Sequence, residues 1–359
     1  MGRSLYIASS VYHLLTEVNL RRRESPSLEG DLVLTDATPG LQALAPRLRE
    51  SGLFSRVFTA NVQELAQRFP MNRGEAASCF GEWRTHLRWI LGEELEAEYD
   101  QVFFSNFDWL ARLLALRLDC PFFWVEDGFS SYVIDFLRED RAAVNRLPET
   151  DALRRKLAAV LLYEPGLAMR GDGVESRPLP KLSREDTQLR HTLNFVFDYH
   201  RPRWVPPFLF LEQSFRAEGI QGNDLELMEL CRRTVGPQQF GVKLHPRNGD
   251  CLPQTLGLSR PLDLAVPWEL FLLNERELPT VMTVCSNGAL SARLCLDLDV
   301  DTVLLYRLYT GKVLWKENDV LARFLEAYRR RYAGRRTYVP ETEYELQDIL
   351  RHLGGQSDG

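Results

Sequence analysis

Residues 122–132 read Phe-Phe-Trp-Val-Glu-Asp-Gly-Phe-Ser-Ser-Tyr, an apolar run that stops on two carboxylates and a glycine. Phe122 to Val125 show no polar alternation, the pattern of a parallel strand buried on both faces. Gly128 lets the chain turn sharply behind it. Glu126 and Asp127 then fall at the carboxyl edge of the strand, the side on which open α/β sheets take their ligands. A carboxylate pair there suits a general base and its neighbour. The same residues also read as an acidic turn with solvated side chains, so the choice rests on what the rest of the chain supplies.

A second apolar run, Phe240 to Arg247 (FGVKLHPR), ends on Lys243, Leu244, His245 and Pro246. The proline fixes the backbone after His245 and aims the imidazole off the sheet edge. There it can meet a phosphate or protonate a leaving group, or else sit satisfied in a turn. Val266-Pro267-Trp268-Glu269 opens a helix with proline in its first turn, so that Glu269 either reaches a ribose hydroxyl or compensates the helix dipole. Cys285 to Leu290 is a strand end followed by the polar pair Ser286-Asn287 and small residues, which offers amides and a hydroxyl to a phosphate or forms an ordinary N-cap.

Outward from these stretches, strand and helix alternate. Leu5–Ala8, Asp31–Leu34, Val57–Phe58 and Gln101–Phe104 read as strands. Ser9 and Ser10 can cap the helix Tyr12–Arg22, and Asp108 the helix Trp109–Leu118. Ala152–Tyr163 reads as a further helix and Gly171–Asp186 as a linker. A second series follows: strands Phe208–Leu211, Phe240–Leu244, Thr280–Cys285 and Val303–Tyr306, interleaved with helices Leu225–Arg233 and Trp268–Leu273. Such alternation predicts parallel sheets covered by helices. The expected fold is α/β, two Rossmann-like domains over 1–185 and 186–335 with a cleft between them. The late helices, including the segment 336–359, are expected to cross back and brace the first domain.

The length of 359 residues fits two domains better than one. Hydrophobic residues at 45% and charged residues at 26% are ordinary globular values, and no apolar run is long enough to span a bilayer. His13 and Glu17 interrupt the apolar amino-terminal stretch, which therefore does not read as a signal peptide. The net charge, 44 minus 50 or −6, argues against a nucleic-acid binder. Two basic clusters, Arg21–Arg23 and Arg329–Arg331 with Arg335 and Arg336, are solvated helix ends or contacts for phosphorylated lipid or glycan. The six cysteines form no CxxC or metal-ligand spacing, which points to a reducing compartment. A cytoplasmic protein is expected, associated peripherally with the inner face of the membrane and able to form a homodimer. No Gly-x-Gly-x-x-Gly or Walker loop is present, and the histidines show no zinc-like spacing.

In pattern and order these motifs resemble bacterial sialyltransferases of the GT-B fold, the lipooligosaccharide sialyltransferase and polysialyltransferase families. Those families carry an acidic-acidic-glycine motif, then His-Pro, Pro-x-Glu and Ser-Ser/Thr. Here Glu126-Asp127-Gly128, His245-Pro246, Pro267-Trp268-Glu269 and Ser286-Asn287 correspond. The resemblance implies an inverting transferase that takes CMP-sialic acid as donor and a cell-surface glycan as acceptor, with no metal and no other cofactor. It implies Glu126 as the base, and His245 as the group that neutralises or protonates the departing phosphate. Glu269 would hold the ribose and Ser286 the phosphate. Asp127, Gly128, Lys243, Pro246, Asn287, Ser9 and Ser10 would line the substrates, the last two in the first βα loop. Asn287 departs from the family, which has a second hydroxyl residue there. The alternation Asp297-Leu298-Asp299-Val300-Asp301 looks like the metal-binding DxD of the GT-A fold, but carboxylates in a connector are usually solvated.

Overall fold

A computed structural model describes residues 2–355 except 26, 71, 93, 94, 96, 97, 249–251, 259, 263–265, 314–318 and 333–335. The chain divides into two units, Met1–Tyr199 and His200–Gly359. The first is built on a sheet of seven strands: β1 (Arg3–Ala8), β2 (Glu29–Thr35), β3 (Arg56–Ala60), β4 (Gln101–Phe104), β5 (Phe122–Val125), β6 (Leu157–Leu162) and β7 (Ser176–Pro178). Their spatial order is β3-β2-β1-β4-β5-β6-β7, and every neighbouring pair is parallel.

The second unit has six strands: β8 (Phe208–Leu211), β9 (Phe240–Lys243), β10 (Arg260–Pro261), β11 (Thr280–Thr283), β12 (Thr302–Leu304) and β13 (Thr337–Tyr338). Their order is β10-β9-β8-β11-β12-β13, again all parallel. In each sheet the chain runs outward from its first strand to one side and then returns to fill the other, the doubly wound Rossmann order. The apolar runs that announced the strands are the cores: Leu5, Tyr6, Leu32, Val33, Phe104, Phe122 and Trp124 in one unit, and Phe208, Leu209, Phe240, Val242 and Met282 in the other, are buried. Parallel strands lie buried beneath helices on both faces, which is why these runs lack alternation.

Four expectations change. Ala152–Tyr163 is not one helix: the helix Thr150–Lys156 ends and the same apolar run continues as β6, paired with β5. A short, unbroken run such as Leu-Ala-Ala-Val-Leu-Leu fits either state, and pairing with the neighbouring strand decides it. The expected linker contains β7, which extends the sheet beyond β6. The first unit also reaches past residue 185 to Tyr199, because the helix Thr187–Phe197 packs on α1 (Val11–Arg23) and on the helix Ala45–Glu50. The carboxy-terminal helix Glu343–Gly355 groups with the second unit through packing on the helix Asp224–Val235, rather than forming a segment apart.

Cys79, Cys120, Cys231 and Cys295 are buried free thiols and Cys285 a partly exposed one; Cys251 and Arg335 lie outside the described residues. No helix among the described residues is long and apolar enough to cross a membrane.

Glu17 on α1 is fully buried, and neither carboxyl oxygen has a hydrogen-bond partner. Burial, with Glu24 nearby, holds its pKa well above the ordinary 4.5. A group whose folded pKa is raised adds stability that is complete below the unfolded value and is lost as pH climbs toward the folded one. Glu17→Gln, which keeps the shape without a titrating proton, is therefore expected to raise Tm at pH 8 and leave it nearly unchanged at pH 4. Thermal melts of both proteins across that range check this; equal pH slopes would remove Glu17 as their source.

Candidate active site

The turn after β5 is held by a left-handed glycine and two hydrogen bonds. Gly128 takes φ of +83°, a left-handed conformation that a side chain disfavours. The Asp127 N–H donates to Ser131 Oγ at 2.8 Å, and the Ser131 N–H to the Gly128 carbonyl at 3.1 Å, closing the chain onto the short helix Ser130–Val133. Glu126 still belongs to the sheet, its N–H donating to the Leu161 carbonyl of β6 at 3.0 Å.

That continuation turns Glu126 inward. It is 1% exposed, and its carboxylate accepts three hydrogen bonds: Tyr132 Oη at 2.6 Å and the Tyr163 N–H at 2.9 Å on Oε2, and Tyr12 Oη at 3.1 Å on Oε1. Burial pushes its pKa up to about 7, against the pull of those donors and with help from neighbouring Asp127. Asp127 points the other way, with 43% of its side chain exposed. His13 Nε2 meets Asp127 Oδ1, and His13 Nδ1 accepts the Ser9 N–H at 3.3 Å. With Nδ1 an acceptor, the imidazole hydrogen sits on Nε2 and is donated to Asp127. Ser10 caps α1, its Oγ accepting the His13 N–H at 3.1 Å. The resemblance implied Glu126 as base and Asp127 beside it; of the two, Glu126 is the buried carboxyl and Asp127 the exposed one.

In the second unit the motifs gather at the carboxyl edge around β8. Glu212, the residue after β8, is 4% exposed and accepts the His245 N–H on Oε2 at 2.7 Å and Arg216 Nη2 on Oε1 at 2.6 Å. Its own N–H reaches the Lys243 carbonyl at 3.1 Å. The His245–Pro246 turn is thereby fixed to the strand beside it. The His245 imidazole, half-buried, has its pKa lowered to about 4 by desolvation and by the cations Arg247 and Lys243. Glu269, in the first turn of the helix Trp268–Asn274, is buried; desolvation raises its pKa, while a hydrogen bond from Ser291 and the charge of Lys243 oppose the rise. Desolvation likewise lowers the pKa of Lys243, with Glu269 opposing.

Ser286 follows β11, and its Oγ accepts the Gly288 N–H at 3.3 Å at the start of the helix Gly288–Leu296; Asn287 beside it is exposed. The helix start approaches β8 so closely that a Cβ at Gly288 would lie 3.0 Å from Leu211 Cδ1. The DLDVD carboxylates are engaged differently: Asp299 pairs with Arg293, Asp301 with Arg336 at 3.2 Å, and Asp297 ends the helix in a left-handed conformation.

Tyr132 in the first unit, and Glu212 and Arg216 in the second, join these sites without having been singled out in the sequence; Tyr12 and His13 belong to the stretch Ser9–His13 that the resemblance puts in the first βα loop. Glu212 carried a signal: it ends the apolar run Phe208–Leu211 as Glu126 ends Phe122–Val125. The pairing of His13 with Asp127 carried none, because the two are 114 residues apart.

No protein-family model matches the chain, and no curated protein matches it. Solved structures do match. TcCGT1 in complex with UDP is 12% identical, with 99% of this chain and 92% of that one covered and a TM-score of 0.53. UGT2 of Phytolacca americana, complexed with UDP-2fluoro-glucose and pterostilbene, is 12% identical over 99% and 92%, with a TM-score of 0.51. The 2,6-sialyltransferase of Vibrionaceae Photobacterium sp. JT-ISH-224, in a ternary complex with CMP and lactose, is 10% identical over 94% and 78%, with a TM-score of 0.46. Together with the two doubly wound sheets, the first two likenesses give the chain an α/β fold of the GT-B type.

Proposed function

We propose that this protein is an inverting glycosyltransferase that moves a sugar from a nucleotide-activated donor, CMP-sialic acid, to a hydroxyl of a cell-surface glycan. The observation that carries the reading is the His245–Pro246 turn held by Glu212 just beyond Lys243, the last residue of β9, with the Ser286 hydroxyl opening the helix Gly288–Leu296 at the same carboxyl edge, where a doubly wound sheet takes a nucleotide. In the reaction, Asp127 takes the proton of the acceptor hydroxyl while His13 holds its other oxygen. The acceptor oxygen then bonds to the anomeric carbon as the bond to the phosphate breaks, and CMP departs. His245, with Ser286 and the amides of its helix, meets the charge left on that phosphate. Buried Glu126 sets the turn from below, and Glu269 takes the nucleotide ribose.

A second reading, a uridine-diphosphate hexose as donor, is favoured by Asn287, which replaces a hydroxyl in the phosphate grip, and by the UDP ligands of the two similar structures. Release of CMP or UDP from a panel of nucleotide sugars, with and without acceptor, separates the two; no release from any donor would leave a binding protein on this fold. The donor is held without a metal in this reading, so EDTA should leave turnover intact. Loss that Mg²⁺ or Mn²⁺ restores would bring Asp297, Asp299 and Asp301 back as ligands.

For the base, Asp127→Asn is expected to lower turnover at least about a hundredfold with nucleotide affinity kept. Glu126→Gln should cost less in turnover. The reverse order in steady-state kinetics would return the base to Glu126. For His245, a nearby phosphate favours the protonated imidazole, so its pKa should rise from about 4 in the free protein as nucleotide binds. CMP binding then takes up a proton, is tighter at pH 6 than at pH 8, and gives calorimetric enthalpies that depend on the buffer. His245→Ala should lose all three effects. Buffer-independent enthalpies in the unmodified protein would place His245 away from the phosphate.

A further inference from the structure

β8 leaves the second sheet between the two strands that lead to His245 and to Ser286. β9 lies on one side of it and β11 on the other, each paired with β8. The end of β9, which leads into the His245–Pro246 turn, is therefore two strand spacings, about 9.6 Å, from the end of β11, which leads to Ser286. A ligand gripped from both turns needs them held at one spacing.

The two residues that follow β8 span this gap. Glu212 accepts the His245 N–H at 2.7 Å, and Gln213 reaches to both sides. The Gln213 side-chain oxygen Oε1 accepts the Cys285 N–H at 2.7 Å, and Nε2 donates to Cys285 Sγ at 3.4 Å. Its main-chain carbonyl accepts Asn248 Nδ2 at 2.9 Å. Asn248 in turn closes the His245 turn: its N–H donates to the His245 carbonyl at 3.1 Å, and its Oδ1 accepts the Ala217 N–H at 3.3 Å. On the other side, the Ser286 N–H donates to Thr283 Oγ1 at 3.3 Å, and that hydroxyl donates to the Leu211 carbonyl at the end of β8 at 2.9 Å. Two successive amides ahead of the Ser286 side chain are thus anchored to the end of β8, one through Thr283 and one through Gln213. Gln213 is partly exposed, where water could satisfy its amide, yet both ends of that amide are spent on one residue of the neighbouring turn.

We infer that Gln213 is a positioning residue for the carboxyl edge of the second sheet: without touching a ligand itself, it couples the His245 turn to the Ser286 turn so that one phosphate group meets both. The inference rests on the nucleotide reading only in naming that phosphate; the coupling of the two turns does not depend on it. Turns held in place beforehand need not be ordered when the ligand arrives, and affinity gains by that saving.

The test uses the full chain and two variants that cut the link from opposite ends. Gln213→Met keeps the side-chain length and removes both amide contacts, and Asn248→Ala removes the tie to the Gln213 carbonyl. Without ligand, hydrogen exchange read by mass spectrometry should quicken about tenfold over residues 284–288 in Gln213→Met and over 245–248 in Asn248→Ala, with β8, β9 and β11 unchanged. Calorimetric titration with CMP and with UDP should show binding about tenfold weaker in each variant. Adding Gln213→Met to Ser286→Ala should weaken binding little further, because the misplaced hydroxyl is already gone, whereas unrelated structural damage would add its full effect. Melting temperatures separate lost binding from lost folding. Unchanged exchange over 284–288 in folded Gln213→Met, undiminished nucleotide affinity in both folded variants, or strictly additive losses in the double variant would overturn the positioning role. If the unmodified protein binds neither nucleotide, the nucleotide reading falls, and the exchange result alone decides whether Gln213 couples the turns.

Discussion

Donors that converge on a buried carboxyl group offset the cost of taking it out of water, and in the first unit the donors to Glu126 organise the carboxyl edge. Glu126 draws its donors from α1 through Tyr12, from the helix after the turn through Tyr132, and from the end of β6 through the Tyr163 amide. Three elements are thereby registered against the end of β5. Removing any one leaves a buried acceptor short of a partner, so the elements that flank the turn are tied to one geometry. Glu212 solves the same problem in the second unit with fewer donors, fixing the His245 backbone against β8 and calling in Arg216 for the remaining oxygen.

The two edges differ in sign. Beside Asp127 the first unit places an imidazole whose Nδ1 accepts the Ser9 N–H, so that Nε2 donates to the carboxylate. Around His245 the second unit places Lys243 and Arg247, whose charges add to desolvation in lowering the pKa of the imidazole.

Much of this was legible in the sequence. Four apolar runs without alternation, each ending on polar residues, located β5, β8, β9 and β11 and the turns behind them, because a strand buried on both faces leaves no other pattern. What escaped had physical reasons. β7, β10 and β13 span only two or three residues, too few for any periodicity. β6 shares its composition with the helix before it, and only pairing with β5 decides its state. At the candidate site, residue types were visible but their orientation was not. That Glu126 turns in and Asp127 out depends on one more ladder hydrogen bond to Leu161 and on the left-handed Gly128. The meeting of His13 with Asp127 is a product of the strand order, which places β1 two positions from β5.

That order has a consequence for how the molecule is made. β1 and β8, the first strands of their units to leave the ribosome, lie in the interior of their sheets, flanked by β2 and β4 and by β9 and β11. Each sheet can therefore grow outward from a seed already present, adding its first wing in order of synthesis before the other wing exists. An emerging chain is never asked to insert a late strand between two early ones, the kind of threading that leaves long unpaired edges open to aggregation. Because the first unit is complete by Tyr199, its last-made edge can close before most of the second unit has been translated. A pause in translation just beyond that point would lengthen the interval in which the amino-terminal half folds undisturbed.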